Sequence, residues 1–253
     1  MKTRIITSII GIPLVILVIW LSGWVLGLIG AAAAVIIAYE YRQMLAHRGD
    51  LLPIWLLCGV SLVIYSLIVI FTPPGWFFIL PLLVIIWGLT VKNKYAYAAA
   101  GVFYIACGIG CLIALRTSSD LYYPIIFALL VTWMSDSGAY FVGRKFGRTK
   151  LAATISPNKT VEGAIGGIIV AVLSAVIYSF FIPQLNTLVV IPVALLLAVL
   201  GQTGDLIESA IKRWAGVKDA GTILPGHGGL FDRMDSLMLV AVICYIFVGV
   251  ASF

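Results

Sequence analysis

Gly204-Asp-Leu-Ile-Glu-Ser-Ala-Ile-Lys-Arg-Trp-Ala-Gly-Val-Lys-Asp-Ala-Gly-Thr-Ile-Leu-Pro-Gly-His-Gly-Gly-Leu-Phe-Asp-Arg-Met-Asp235 stands between two long apolar runs. It holds five of the ten carboxylates (Asp205, Glu208, Asp219, Asp232, Asp235), four of the sixteen basic residues (Lys212, Arg213, Lys218, Arg233) and His227, one of two histidines. In a chain that is 62% hydrophobic and 10% charged, a solvated loop alone does not account for such crowding. If the run before Asp205 continues as a helix, Asp205, Glu208, Ser209 and Lys212 fall on one face. Asp232 and Asp235, three apart at the start of the next run, share a face at a helix N-terminus. Hard oxygen ligands from two helix ends suit a divalent cation such as Mg²⁺, completed by waters and substrate phosphates. Between them, Pro225-Gly-His227-Gly228-Gly229 can bring backbone N–H groups close to an anion. It is not a Walker A loop, because His227 and Gly228 stand where that motif needs Lys and Ser or Thr.

Outward from this stretch the chain is apolar. A mean hydropathy of +1.15 and repeated apolar runs of about 20 residues describe an all-α, polytopic integral membrane protein. We expect about nine transmembrane helices, near 5–22, 24–46, 52–71, 76–91, 96–115, 121–143, 160–182, 187–213 and 233–252, each break being made of turn formers or charge. The first run has no small-residue cleavage site leading to a soluble domain, so it reads as a retained helix. Residues 1–120 hold few intramembrane polar groups and read as scaffold; 121–253 hold most of them and read as the catalytic region of a single membrane domain. Cys58, Cys107, Cys111 and Cys244 lie inside apolar runs and read as packing residues, with no disulfide framework.

Alternate breaks carry fifteen of the sixteen basic residues, and the opposite faces carry only Arg116. By the positive-inside rule the N-terminus is cytoplasmic and Phe253 lies outside, in a multi-pass protein of a cell inner or plasma membrane. The net charge of +6 is then gathered on the cytoplasmic face, where membrane lipids and nucleotide phosphates are attracted. Nothing indicates nucleic-acid binding. The sequence does not set the oligomeric state, and a homodimer is compatible with it.

Asp136 interrupts an apolar helix, with Tyr140 and then Arg144 each one turn further on; a carboxylate there costs a few kcal/mol unless it is paired or lines a wet cavity. It is either a hydrogen-bond bridge between helices or part of a site. Ser156-Pro157-Asn158-Lys159-Thr160-Val-Glu162-Gly163 opens the next span. Ser156 as N-cap, Pro157 at the first helical position and Glu162 near the positive dipole end account for three of these residues. Asn158 and Lys159 are left over, and a Lys at a helix N-terminus calls for an anion. Glu40, near Arg42, reads as half of an interfacial pair.

Ser209-Ala-Ile-Lys212-Arg213, four residues, Lys218-Asp219, then Pro225-Gly-His227-Gly-Gly-Leu-Phe-Asp232-Arg233-Met-Asp235 resembles the signature of the phosphatidate cytidylyltransferases, the CDP-diglyceride synthetases. Asp136-Ser-Gly-Ala-Tyr140 and Ser156-Pro-Asn-Lys159-Thr-Val-Glu-Gly163 are similar to two further motifs of that family. The resemblance implies that CTP and phosphatidic acid are the substrates and CDP-diacylglycerol and pyrophosphate the products. A phosphatidate oxygen attacks the α-phosphorus of CTP in this reaction, and because it is already anionic no Ser or Cys nucleophile is required. Catalysis is then positioning and charge neutralisation. The expected catalytic residues are Asp136, Lys159, Asp205, Asp232 and Asp235, with Mg²⁺ on Asp205, Asp232 and Asp235 and a second cation as an alternative. Ser156, Asn158, Arg144, Ser209, Lys212, Arg213, Lys218, His227, Gly228, Gly229 and Arg233 are the expected substrate-binding residues. The rivals are a cation- or proton-coupled transporter, which predicts inverted repeats not seen here, and a CDP-alcohol phosphotransferase, whose Asp-x-x-Asp-Gly-x-x-Ala-Arg pattern is absent.

Overall fold

The computed structural model describes residues 13, 15–20, 23–49, 53–71, 83, 94–117, 122–223 and 228–251. Seven long helices are α1 (Gly23–Ala46), α2 (Ile54–Phe71), α3 (Lys94–Thr117), α4 (Tyr123–Phe146), α5 (Val161–Ser179), α6 (Thr187–Ala215) and α7 (Phe231–Ala251). They coincide with seven of the expected spans to within a few residues. Residues 15–20 are also helical. The rest of the expected span at 5–22 and nearly all of that at 76–91 lie outside the described residues. By length and composition six of the described helices can cross a membrane. Their outward side chains are large and apolar, among them Leu62, Val63, Ile70, Leu173, Ile177 and Leu188. In water such a surface would be a liability, whereas lipid accepts it while every helical backbone group stays paired.

The all-α expectation needs one correction. Lys150–Ala152 (β1) and Ser156–Thr160 (β2) form an antiparallel hairpin, with Lys150 opposite Thr160 and Ala152 opposite Ser156. Ser156 therefore does not cap α5, and Pro157 is not in its first turn. Thr160 is the N-cap, its hydroxyl accepting from Gly163 N at 3.1 Å. Glu162 reaches back instead, accepting from Arg148 N at 3.0 Å and Thr149 N at 3.2 Å, and Val161 N donates to Thr149 O. These bonds lay the hairpin across the start of α5. Pro157 is tolerated because both strands of a two-stranded ribbon are edges.

Helix α3 is the central element, built of Ala, Gly and Cys and buried on nearly every side. Two apolar clusters meet on it. One joins it to α4, α5, α6 and α7, and the other to α1, α2 and α7. Cys107, Cys111 and Cys244 are buried free thiols in the first cluster, as packing residues should be. Helices α4 and α5 approach closely because small residues face each other: a Cβ on Gly166 would overlap Val142, and one on Gly167 would overlap Ser135 O. Helix α6 starts at Asn186, whose side chain accepts from Leu188 N, and stops at Gly216 in the left-handed region (φ 79°). There Gly216 N and Val217 N donate to Arg213 O and Lys212 O. Arg48 at the end of α1 donates to Trp214 O at 2.5 Å, and Tyr97 of α3 stacks on the Trp214 ring at 4.2 Å. The polar end of α6 is thus held from both neighbours.

Candidate active site

Four helices and the hairpin bring the polar residues together. Asp205 and Glu208 lie one turn apart on α6, Asp235 lies in the second turn of α7, and one carboxylate oxygen from each falls within 4.8 Å of the others. Gly204 allows this approach, because a Cβ there would press on Asp235 O and on the Tyr104 hydroxyl. Tyr104, from α3, donates that hydroxyl to Asp235 O and fixes the α7 backbone at the cluster. Lys159, at the end of β2, places its Nζ 2.5 Å from Asp205 Oδ2. Ser209 donates to the other oxygen, Asp205 Oδ1, at 3.3 Å. On the far side Lys212 bridges Glu208 Oε2 at 2.7 Å and Asp232 Oδ1 at 2.8 Å. Asp136 is exposed on α4, within electrostatic range of Asp205, Lys159 and Arg233.

Asp205 and Asp235 therefore converge, and Glu208 joins them. Asp232 borders this trio through Lys212, which it shares with Glu208, but is not one of its members. Its carboxylate is taken by Lys212, by Gly229 N at 2.8 Å and by Ala220 N at 3.0 Å, so it ties the loop after α6 to the start of α7. Of the expected phosphate-binding groups, Lys212 is half-buried beside the cluster, and Gly228 (φ 81°) and Gly229 lie in the backbone leading into α7. Arg213 instead donates to Ile155 O in the hairpin turn and to Val217 O. Arg144, exposed in the last turn of α4, donates to the Tyr140 hydroxyl at 3.0 Å. Ser156 is half-buried in β2, whereas Asn158, Lys218 and Arg233 are exposed. His227 lies outside the described residues.

The sequence reading places Glu208 on the right face but assigns it no role; its spacing from Asp205 is the signal. Tyr104 and Gln202 leave no such signal. Gln202 donates to Ser135 Oγ and to Ala164 O, both at 3.1 Å, and so pins α6 to α4 and α5 one turn before Asp205. Glu40, expected near the membrane surface, is buried. It is 2% exposed and accepts from Leu230 N and Phe231 N at the start of α7.

An acidic trio with oxygens this close, flanked by two ammonium groups, matches what a divalent cation and a polyphosphate need. The sequence also matches the model of the cytidylyltransferase family over residues 2–251. The chain belongs to that family. It shares 35% identity over 254 residues with a phosphatidate cytidylyltransferase of Staphylococcus aureus (strain COL), covering 95% of this chain and 96% of the relative. With the phosphatidate cytidylyltransferase of Staphylococcus haemolyticus (strain JCSC1435) it shares 45% identity over 155 residues, 59% of each chain. The one from Staphylococcus epidermidis (strain ATCC 12228 / FDA PCI 1200) is 35% identical over 257 residues, covering 95% of this chain and 96% of the relative. This cytidylyltransferase is thus a nucleotidyltransferase, and nothing favours the transporter reading.

Proposed function

We propose that this cytidylyltransferase joins CTP to phosphatidic acid, giving CDP-diacylglycerol and pyrophosphate. The observation that carries the reading is the convergence of Asp205, Glu208 and Asp235 beside Lys159 and Lys212, in a chain whose full-length relatives are named phosphatidate cytidylyltransferases. These three carboxylates would hold Mg²⁺, since hard oxygen donors are what that ion takes, and the bound ion would offset the charge of the triphosphate. Lys159, lying against Asp205, neutralises charge on the adjoining phosphates. Asp136 completes the acidic wall on the α4 side. A bond forms between a phosphatidate oxygen and the α-phosphorus as the bond to pyrophosphate breaks, and the bonding electrons leave with pyrophosphate. The attacking oxygen carries its own negative charge, so the site has to orient and neutralise, and needs no base to make the nucleophile.

The alternation of basic breaks supports reading the site as cytoplasmic, in a chain of nine spans with the N-terminus inside and residues 121–253 doing the chemistry. Purified protein given labelled CTP, phosphatidate and Mg²⁺ should form CDP-diacylglycerol and release pyrophosphate in equal amounts. Hydrolysis of CTP without a lipid product would overturn the assignment.

A further inference from the structure

Helix α4 packs one face against α5 and leaves the opposite face open. Ser135, Gly138 and Val142 lie on the packed face, where a Cβ on Gly138 would overlap Val170. Around the helix from them Trp133, Asp136, Ser137, Tyr140, Phe141 and Arg144 recur at three- and four-residue intervals, and all are exposed. The open sides of α2 and α5 are aliphatic, with Leu62, Val63 and Ile70 on one and Ile169, Leu173 and Ile177 on the other. The open side of α4 is amphiphilic. A carboxylate, a hydroxyl, a phenol and a guanidinium on an uncovered face of a spanning helix are costly in hydrocarbon and call for a polar partner. At the charged end of the stripe two of them form a unit. Arg144 donates to the Tyr140 hydroxyl at 3.0 Å, and the Tyr140 ring meets Phe141 edge-on with centroids 5.3 Å apart. Among the described residues no carboxylate pairs with Arg144, which leaves its other N–H groups and the phenol hydrogen for an anion. At the inner end Asp136 lies within electrostatic range of Asp205, Lys159 and Arg233. The stripe therefore joins the acidic cluster to the open side of the helix.

We propose that Tyr140 and Arg144 together bind the phosphate of phosphatidic acid as the lipid enters sideways from the membrane. An amphiphile fits an amphiphilic face. The phosphomonoester takes the guanidinium fork and the phenol, and the acyl chains lie along Phe141 towards Trp133, about 16 Å back along the helix. CTP needs the cation of the acidic trio, at the other end of the stripe. The inference rests on the proposed function, and the two fail differently. Wild-type protein that makes no CDP-diacylglycerol defeats the function; an active wild type leaves the stripe to be judged by its variants. Initial rates in mixed micelles of detergent and phosphatidate, with the mole fraction of phosphatidate and the concentration of CTP varied separately, give a KM for each substrate. Arg144→Gln should raise KM for phosphatidate about tenfold and leave KM for CTP within about twofold of wild type. Tyr140→Phe removes one donor and should raise the same constant about threefold. Arg144→Lys, which keeps the charge and loses the fork, should fall between wild type and Arg144→Gln. Arg148→Gln removes an exposed guanidinium outside the stripe and should change neither constant. If Arg144→Gln does not fold, Tyr140→Phe and Arg144→Lys decide. A rise in KM for CTP in place of phosphatidate, an equal rise for phosphatidate in Arg148→Gln, or a wild-type KM for phosphatidate in every stripe variant that folds would overturn the proposal.

Discussion

Lys212 holds two acids at once, and one of them, Glu208, is fully buried. Replacing Lys212 by Met should leave Glu208 as an uncompensated buried charge, which typically costs about 3–5 kcal/mol. The melting midpoint in detergent should fall, and adding Glu208→Gln should restore part of the loss; a double variant no more stable than Lys212→Met alone would contradict the pairing. Asp205→Asn is a different test, because Asp205 is half-exposed and bonded to Ser209 and Lys159 without a cap or core role. It should lower kcat by at least about 10²-fold while far-UV circular dichroism and elution volume stay those of the wild type.

At the scale of elements, the junction of α4, the hairpin and α5 brings Asp136 and Lys159 to the acids of α6 and α7. Gly166→Val would push α4 away from α5 through Val142 and should cost about 1–3 kcal/mol. Activity should fall with it, since Asp136 and Lys159 stand on opposite sides of that contact. Thr160→Ala, which removes only the α5 cap, should cost ~1 kcal/mol in a thermal melt. This junction is also where sequence reading goes astray. Ser156-Pro157 looks like a helix start, and only the bonds from Glu162 to Arg148 and Thr149, which close a hairpin, move the cap to Thr160. The face shared by Asp205, Glu208, Ser209 and Lys212 is legible because a helical period is local. Glu40 on the amides of residues 230 and 231 is not, because nothing local links positions 190 apart in the chain.

For the whole molecule, apolar run length and charged breaks give the helices, since lipid demands long apolar segments with satisfied backbones. How those helices pack is set by glycine contacts and buried polar links that a hydropathy pattern does not contain. The proposed orientation makes a prediction here: a single cysteine introduced at Asn158 or Gly216 should react with a membrane-impermeant maleimide only from the cytoplasmic side, and one at Gln184 only from outside. Labelling of all three from one side would break the alternation.

The central claim is that Asp205, Glu208 and Asp235 hold a divalent cation that carries CTP, and Mn²⁺ binding followed by electron paramagnetic resonance tests it most directly. Purified protein with CTP should bind Mn²⁺ and suppress the free-ion signal, with Asp205→Asn and Asp235→Asn each weakening that binding by at least about tenfold. Unchanged Mn²⁺ binding in both variants would contradict the account.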